Sequence, residues 1–94
     1  MEDSKGRMRV VIRGKHYFLD HVSGLAQLGE TDAPSIKSKE MRIRKSLKGK
    51  ERLEIYIHEM QHAGQWDLDE EVVSQLAHDM ANVLWKIGLR FSDE

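Results

Sequence analysis

Between Met8 and Ile12 the apolar residues Met8, Val10 and Ile12 alternate with Arg9 and Val11, the two-residue period of a half-buried strand. The stretch His16 to Val22 is rich in β-branched and aromatic residues, and Gly14-Lys15 before it suits a tight hairpin, so a second strand is predicted to pair with the first. The next eighteen residues, SGLAQLGETDAPSIKSKE at 23 to 40, hold Gly24, Gly29 and the single proline, and read as a surface loop. Met41 and Ile43 then alternate with Arg42 and Arg44, which predicts a short third strand with one apolar and one basic face, at a sheet edge.

From Lys50 the period lengthens. Leu53, Tyr56, Ile57, Met60 and Gly64 fall on one helical face, with Gly64 in the last turn. A second helix is predicted to carry Val72, Val73, Leu76, Met80, Val83, Leu84 and Ile87 on its core side and to end at Gly88. Asp69 is its expected N-cap, which puts Glu70 in the first turn. The expected fold class is therefore α+β: a small three-stranded sheet packed on one helix, with a second, C-terminal helix closing a cleft. The chain reads as one domain over residues 1–94, with 1–7 and 91–94 as tails.

Composition narrows the chemistry. Ninety-four residues with 39% hydrophobic content allow a single modest core. With 15 basic and 16 acidic residues the whole chain is not an evident polyanion binder. It has no cysteine, so disulfides, thiolate metal sites and cysteine nucleophiles are excluded, and any metal must be held by His, Asp and Glu. No stretch approaches the roughly 20 apolar residues of a membrane span, and the first residues lack the apolar core of a secretion signal. A cytoplasmic protein without membrane contact is expected.

The segment His58-Glu59-Met60-Gln61-His62 has the form HExxH. Residues four apart on a helix point the same way, so both imidazoles can reach one ion, for which zinc is a natural choice. Glu59 is turned roughly 100° from His58, where it can address a water on the metal without binding the metal, the place of a general base. On the helical wheel the apolar stripe centres nearly opposite the two histidines, which are thus kept off the main core face. A catalytic zinc needs a third protein ligand, and a short connection makes the second helix fold back beside the first. Of the acids at its start, Asp69 is accounted for as the cap and Glu71 faces the polar side, leaving Glu70 as the best-placed carboxylate, with Asp69 and Glu71 as alternatives.

Taken together, LGETD at 28 to 32, MRIR at 41 to 44, LEIYIHEMQHAGQWDLDEEVV at 53 to 73 and LWKIGLR at 84 to 90 resemble the minimal zincin-like metallopeptidases of the gluzincin kind. These are short bacterial and phage proteins distantly similar to SprT-like proteins. The resemblance implies that His58 and His62 bind one zinc ion per chain, that Glu70 completes the ligand set and that Glu59 is the catalytic base. A residue to stabilise the oxyanion cannot be matched; His16, Tyr17, His21 and His78 are the candidates. Trp66 and Trp85 are expected in the core.

The expected activity is hydrolysis of a peptide or protein substrate, with an extended peptide pairing to the edge strand near Met41 to Arg44. The alternative is a non-catalytic, zinc-stabilised interaction module. The basic stretch from Lys37 to Arg52 also raises nucleic acid as a lesser partner. A solvated strand face that deters edge pairing explains it equally, and no aromatic platform is interleaved. The sequence does not set the oligomeric state.

Overall fold

The chain turns first at Arg13-Gly14, where both residues have positive φ (49° and 77°), the backbone of a two-residue type I′ hairpin. The computed structural model describes residues 7–94, so of the expected N-terminal tail only Arg7 lies among the described residues. The turn joins β1 (Met8–Ile12) to β2 (Lys15–Val22), which pair antiparallel with Ile12 opposite Lys15. This is the predicted hairpin, tightened by one residue.

Among the described residues the sheet has four strands, not three. Gly29–Thr31 forms β3 inside the segment expected to be loop, and Glu40–Arg44 forms β4. The order is β1-β2-β4-β3, with β4 parallel to β2 and antiparallel to β3. The strand around Met41 to Arg44 is thus interior and not an edge, and the edge beside it is β3. The basic face of β4 has a different cause from the one expected. Arg42 is held by Glu30, Asp32 and Glu40 at 2.8, 2.6 and 2.9 Å, so its charge is answered by neighbouring acids on the open face of the sheet. Arg44 donates to the carbonyls of Leu25 and Ala26.

The opposite face is apolar. Tyr17, Met41 and Ile43 are almost wholly buried, each worth roughly 1.5–3 kcal/mol relative to exposure. They lie under α1 (Gly49–Gly64). The Tyr17 hydroxyl and the Arg13 guanidinium both donate to carbonyls in the last turn of α1, at Ala63 and Gly64. At the other end the Gly49 N–H donates to the carboxylate of Glu94, while Arg52 pairs with Asp93 and Glu94. Residues 91–94, expected as a tail, therefore lie against the start of α1.

The second helix, α2 (Glu70–Lys86), begins with the predicted cap: the Asp69 carboxylate accepts from the Glu71 N–H at 2.8 Å. It ends with Gly88 at φ 110°, where Gly88 N–H bonds to Trp85 and Leu89 N–H to Leu84, a Schellman closure. The helix runs antiparallel to α1, packs on it through Ala77 and Ala81 against Leu53 and Ile57, and touches no strand. The order of layers is sheet, α1, α2.

Two helical faces differ from their predicted ones. On α1, Met60 is exposed while Glu59 and Ala63 are buried, because the helix is covered on two sides, by the sheet and by α2. On α2 the buried residues are Val73, Ala77 and Ala81, and Val72, Leu76, Met80, Val83 and Ile87 face outward. The small alanines allow close approach of the two helices and move the contact away from the larger side chains.

Candidate metal centre

On α1, helical periodicity aims His58 and His62 to the flank shared with the start of α2, and the capped first turn of α2 presents Glu70 to the same point. The Nε2 atoms of the two histidines lie 3.2 Å apart. Glu70 reaches both, with Oε2 at 3.0 Å from His58 Nε2 and Oε1 at 2.9 Å from His62 Nε2. The three side chains offer ligand atoms that all lie within 4.8 Å of one another. Asp69 and Glu71, the alternatives at the same helix start, are not in this cluster.

Protons alone can meet these contacts when both rings carry theirs on Nε2, each donating to its own Glu70 oxygen. The two Nε2 atoms then stand side by side at 3.2 Å, both turned to the one carboxylate. If one ring carries its proton on Nδ1, its Nε2 lone pair faces a Glu70 oxygen at about 3 Å. A cation at the centre serves the same atoms in another way, with every lone pair facing it. Tetrahedral zinc with bonds of 2.0–2.1 Å spaces its donors by about 3.3 Å, close to the observed separations. The residues present thus fit a zinc ion in number, type and spacing. Glu70 is two-thirds exposed, so the centre opens to solvent on its side.

Glu59 points elsewhere. It is buried, 5% exposed, with its side chain turned from α1 toward β3. The Thr31 hydroxyl donates to its Oε1 at 2.7 Å. Burial pushes its carboxyl above the usual range, opposed by the Thr31 hydrogen bond and by the nearby histidines. Gly29 is needed for this packing: a Cβ there would sit 2.9 Å from Glu59 Cγ and 2.9 Å from Ile55 Cγ2. β3 therefore does two things for Glu59, supplying a hydrogen-bond donor and leaving room for the side chain. Sequence reasoning missed both residues, although LGETD was noticed as a segment, since a three-residue strand carries no readable alternation.

A cleft of about 460 Å³ joins these groups, walled by Gly29, Thr31, His58, Glu59, His62 and Glu70. Trp66, expected in the core, stands instead at this cleft, 43% exposed and edge-on to the His62 ring at 6.4 Å. Trp85 packs on the core as expected. None of the oxyanion candidates lines the cleft. Tyr17 bonds Ala63 beneath α1, His21 Nε2 meets the Tyr56 hydroxyl at 2.6 Å, His78 meets Glu54 at 3.2 Å, and His16 is exposed on β2.

Comparison of the chain with protein-family models, with curated proteins and with solved structures returns no match. Among the described residues no helix is long and apolar enough to cross a membrane.

Proposed function

We propose that this protein is a zinc-dependent metallopeptidase of minimal zincin type, with His58, His62 and Glu70 as metal ligands and Glu59 as general base. The observation that carries the reading is the His58–His62–Glu70 cluster, whose mutual distances suit a shared cation. Zinc, when bound, supplies Lewis acidity toward a carbonyl and toward water near neutral pH. The remaining chemistry belongs to side chains. Glu59 is held against rotation by Thr31 and partly desolvated, which brings its basicity closer to that needed for taking a proton from attacking water and returning it to the leaving amine.

The free edge of the sheet supports a substrate seat at β3. Leu28 and Asp32 bond to β4 through their backbones, so the ladder alternation turns the N–H and C=O of Gly29 and Thr31 toward the free edge. An extended peptide added there lies along the cleft, beside the histidines, with Trp66 available to an apolar side chain. The seat is thus β3 and not the strand at Met41 to Arg44.

Exchanging Glu59 for glutamine keeps the side-chain size and removes the base. Glu59→Gln is expected to keep its zinc and its fold while cleavage of a peptide-library substrate found with wild type falls at least about 100-fold. Equal cleavage at equal zinc content would remove Glu59 from this role. A zinc-loaded wild type that cleaves nothing in a broad library would favour the non-catalytic module.

A further inference from the structure

We propose that α2 is the interface of a symmetric dimer, packing antiparallel against α2 of a second copy of this chain. Val72, Leu76, Met80, Val83 and Ile87 are between 41% and 75% exposed. At 100° per residue they fall within an arc of about 80°, next to the arc that packs on α1. The helix has an apolar band about twice as wide as its one neighbour covers, since α2 touches α1 and no strand. The contacts Glu54–His78 and Glu70–His58 mark one flank of the helix pair, and exposed Met60 extends the apolar band on the other. Together these side chains present on the order of 500 Å² of apolar surface, near the upper end for a lone monomer and, with its polar rim, close to one side of a standard interface.

Spacing selects a second copy as the occupant. The stripe 72, 76, 80, 83, 87 reads nearly the same in both directions, so an antiparallel copy sets Val72 on Ile87, Leu76 on Val83 and Met80 beside itself on the two-fold axis. The two helix dipoles then run antiparallel, each N-terminus beside its partner's C-terminus. Asp79, beside the axis, faces its own copy and opposes the association. A bilayer is the poorer occupant, because the polar face of α2 carries Glu71 and Asp79 against Lys86. The arrangement uses the flank away from His58, His62 and Glu70, and leaves both clefts open.

Sedimentation equilibrium of the full chain from 1 to about 100 μM tests the proposal, with expected masses rising from 10.9 kDa toward twice that value. Leu76→Glu with Val83→Glu is expected to stay at the monomer mass with an unchanged circular dichroism spectrum, since both positions are exposed in the single chain. Asp79→Asn, which removes a like charge beside the axis, should lower Kd. Orientation is read from oxidation of single cysteines in a chain that has none of its own. Met80→Cys should cross-link to itself. Val72→Cys should not, because antiparallel copies hold that position more than ~20 Å apart, but a mixture with Ile87→Cys should. A wild type that remains at 10.9 kDa, a dimer unaffected by the glutamate pair, or self-linking of Val72→Cys would each overturn the proposal.

Discussion

Thr31 shows how much of the site rests on one hydroxyl. Its Oγ1 donates to Glu59 Oε1, and a carboxylate as buried as Glu59 loses stability and orientation when that donor is removed. Thr31→Val is expected to cost about 1–3 kcal/mol in urea denaturation and to lower cleavage with zinc content unchanged, whereas Thr31→Ser should restore most of both. Asp32 is a second residue whose charge is set by a neighbour. The Arg42 guanidinium at 2.6 Å holds its carboxyl below the ordinary value of 3.8, so its contribution is present above that value and lost as pH falls through the lower folded one. The stability gap between wild type and Asp32→Asn should accordingly be roughly 1 kcal/mol at neutral pH, and close as the pH is lowered below the ordinary carboxylate range. Equal gaps at both pH values would contradict this account of Asp32. Of these residues the sequence marked only Glu59, because HExxH is a local pattern; Thr31 and Asp32 matter through partners 28 and 10 positions away.

At the scale of elements, the hairpin, both helices and the Asp69 cap were legible because each is specified by neighbouring residues: positive-φ turn positions, a 3.6-residue period, an acid before a helix start. β3 was not. Its strand character comes from lying beside β4, and without it β4 was read as an edge. The apolar stripe on α2 was legible as a pattern and misassigned as core, since periodicity shows that a face is apolar and not what covers it. The start of α2 separates two roles on adjacent acids. Asp69→Ala is expected to lose about 1 kcal/mol of stability through the cap and to leave zinc affinity nearly unchanged. Glu70→Ala should weaken zinc binding at least tenfold with little effect on the cap. Chelator competition and melting curves on both variants check this; the reverse pattern would make Asp69 the ligand.

For the whole molecule, the layered order of sheet, α1 and α2 puts the HExxH helix in the middle, with β3 beside Glu59 and α2 beside the histidines. In a chain this small two histidines of one helix and a carboxylate of the next meet because the short, capped connection brings the start of α2 beside the end of α1. The central claim is that this junction holds a metal. Zinc stoichiometry of the purified full chain by elemental analysis, beside His58→Ala and His62→Ala, tests it most directly. The account predicts about one zinc per wild-type chain and loss of that zinc from both variants. Wild-type zinc content in both variants, or a folded wild type that binds no zinc, would contradict it.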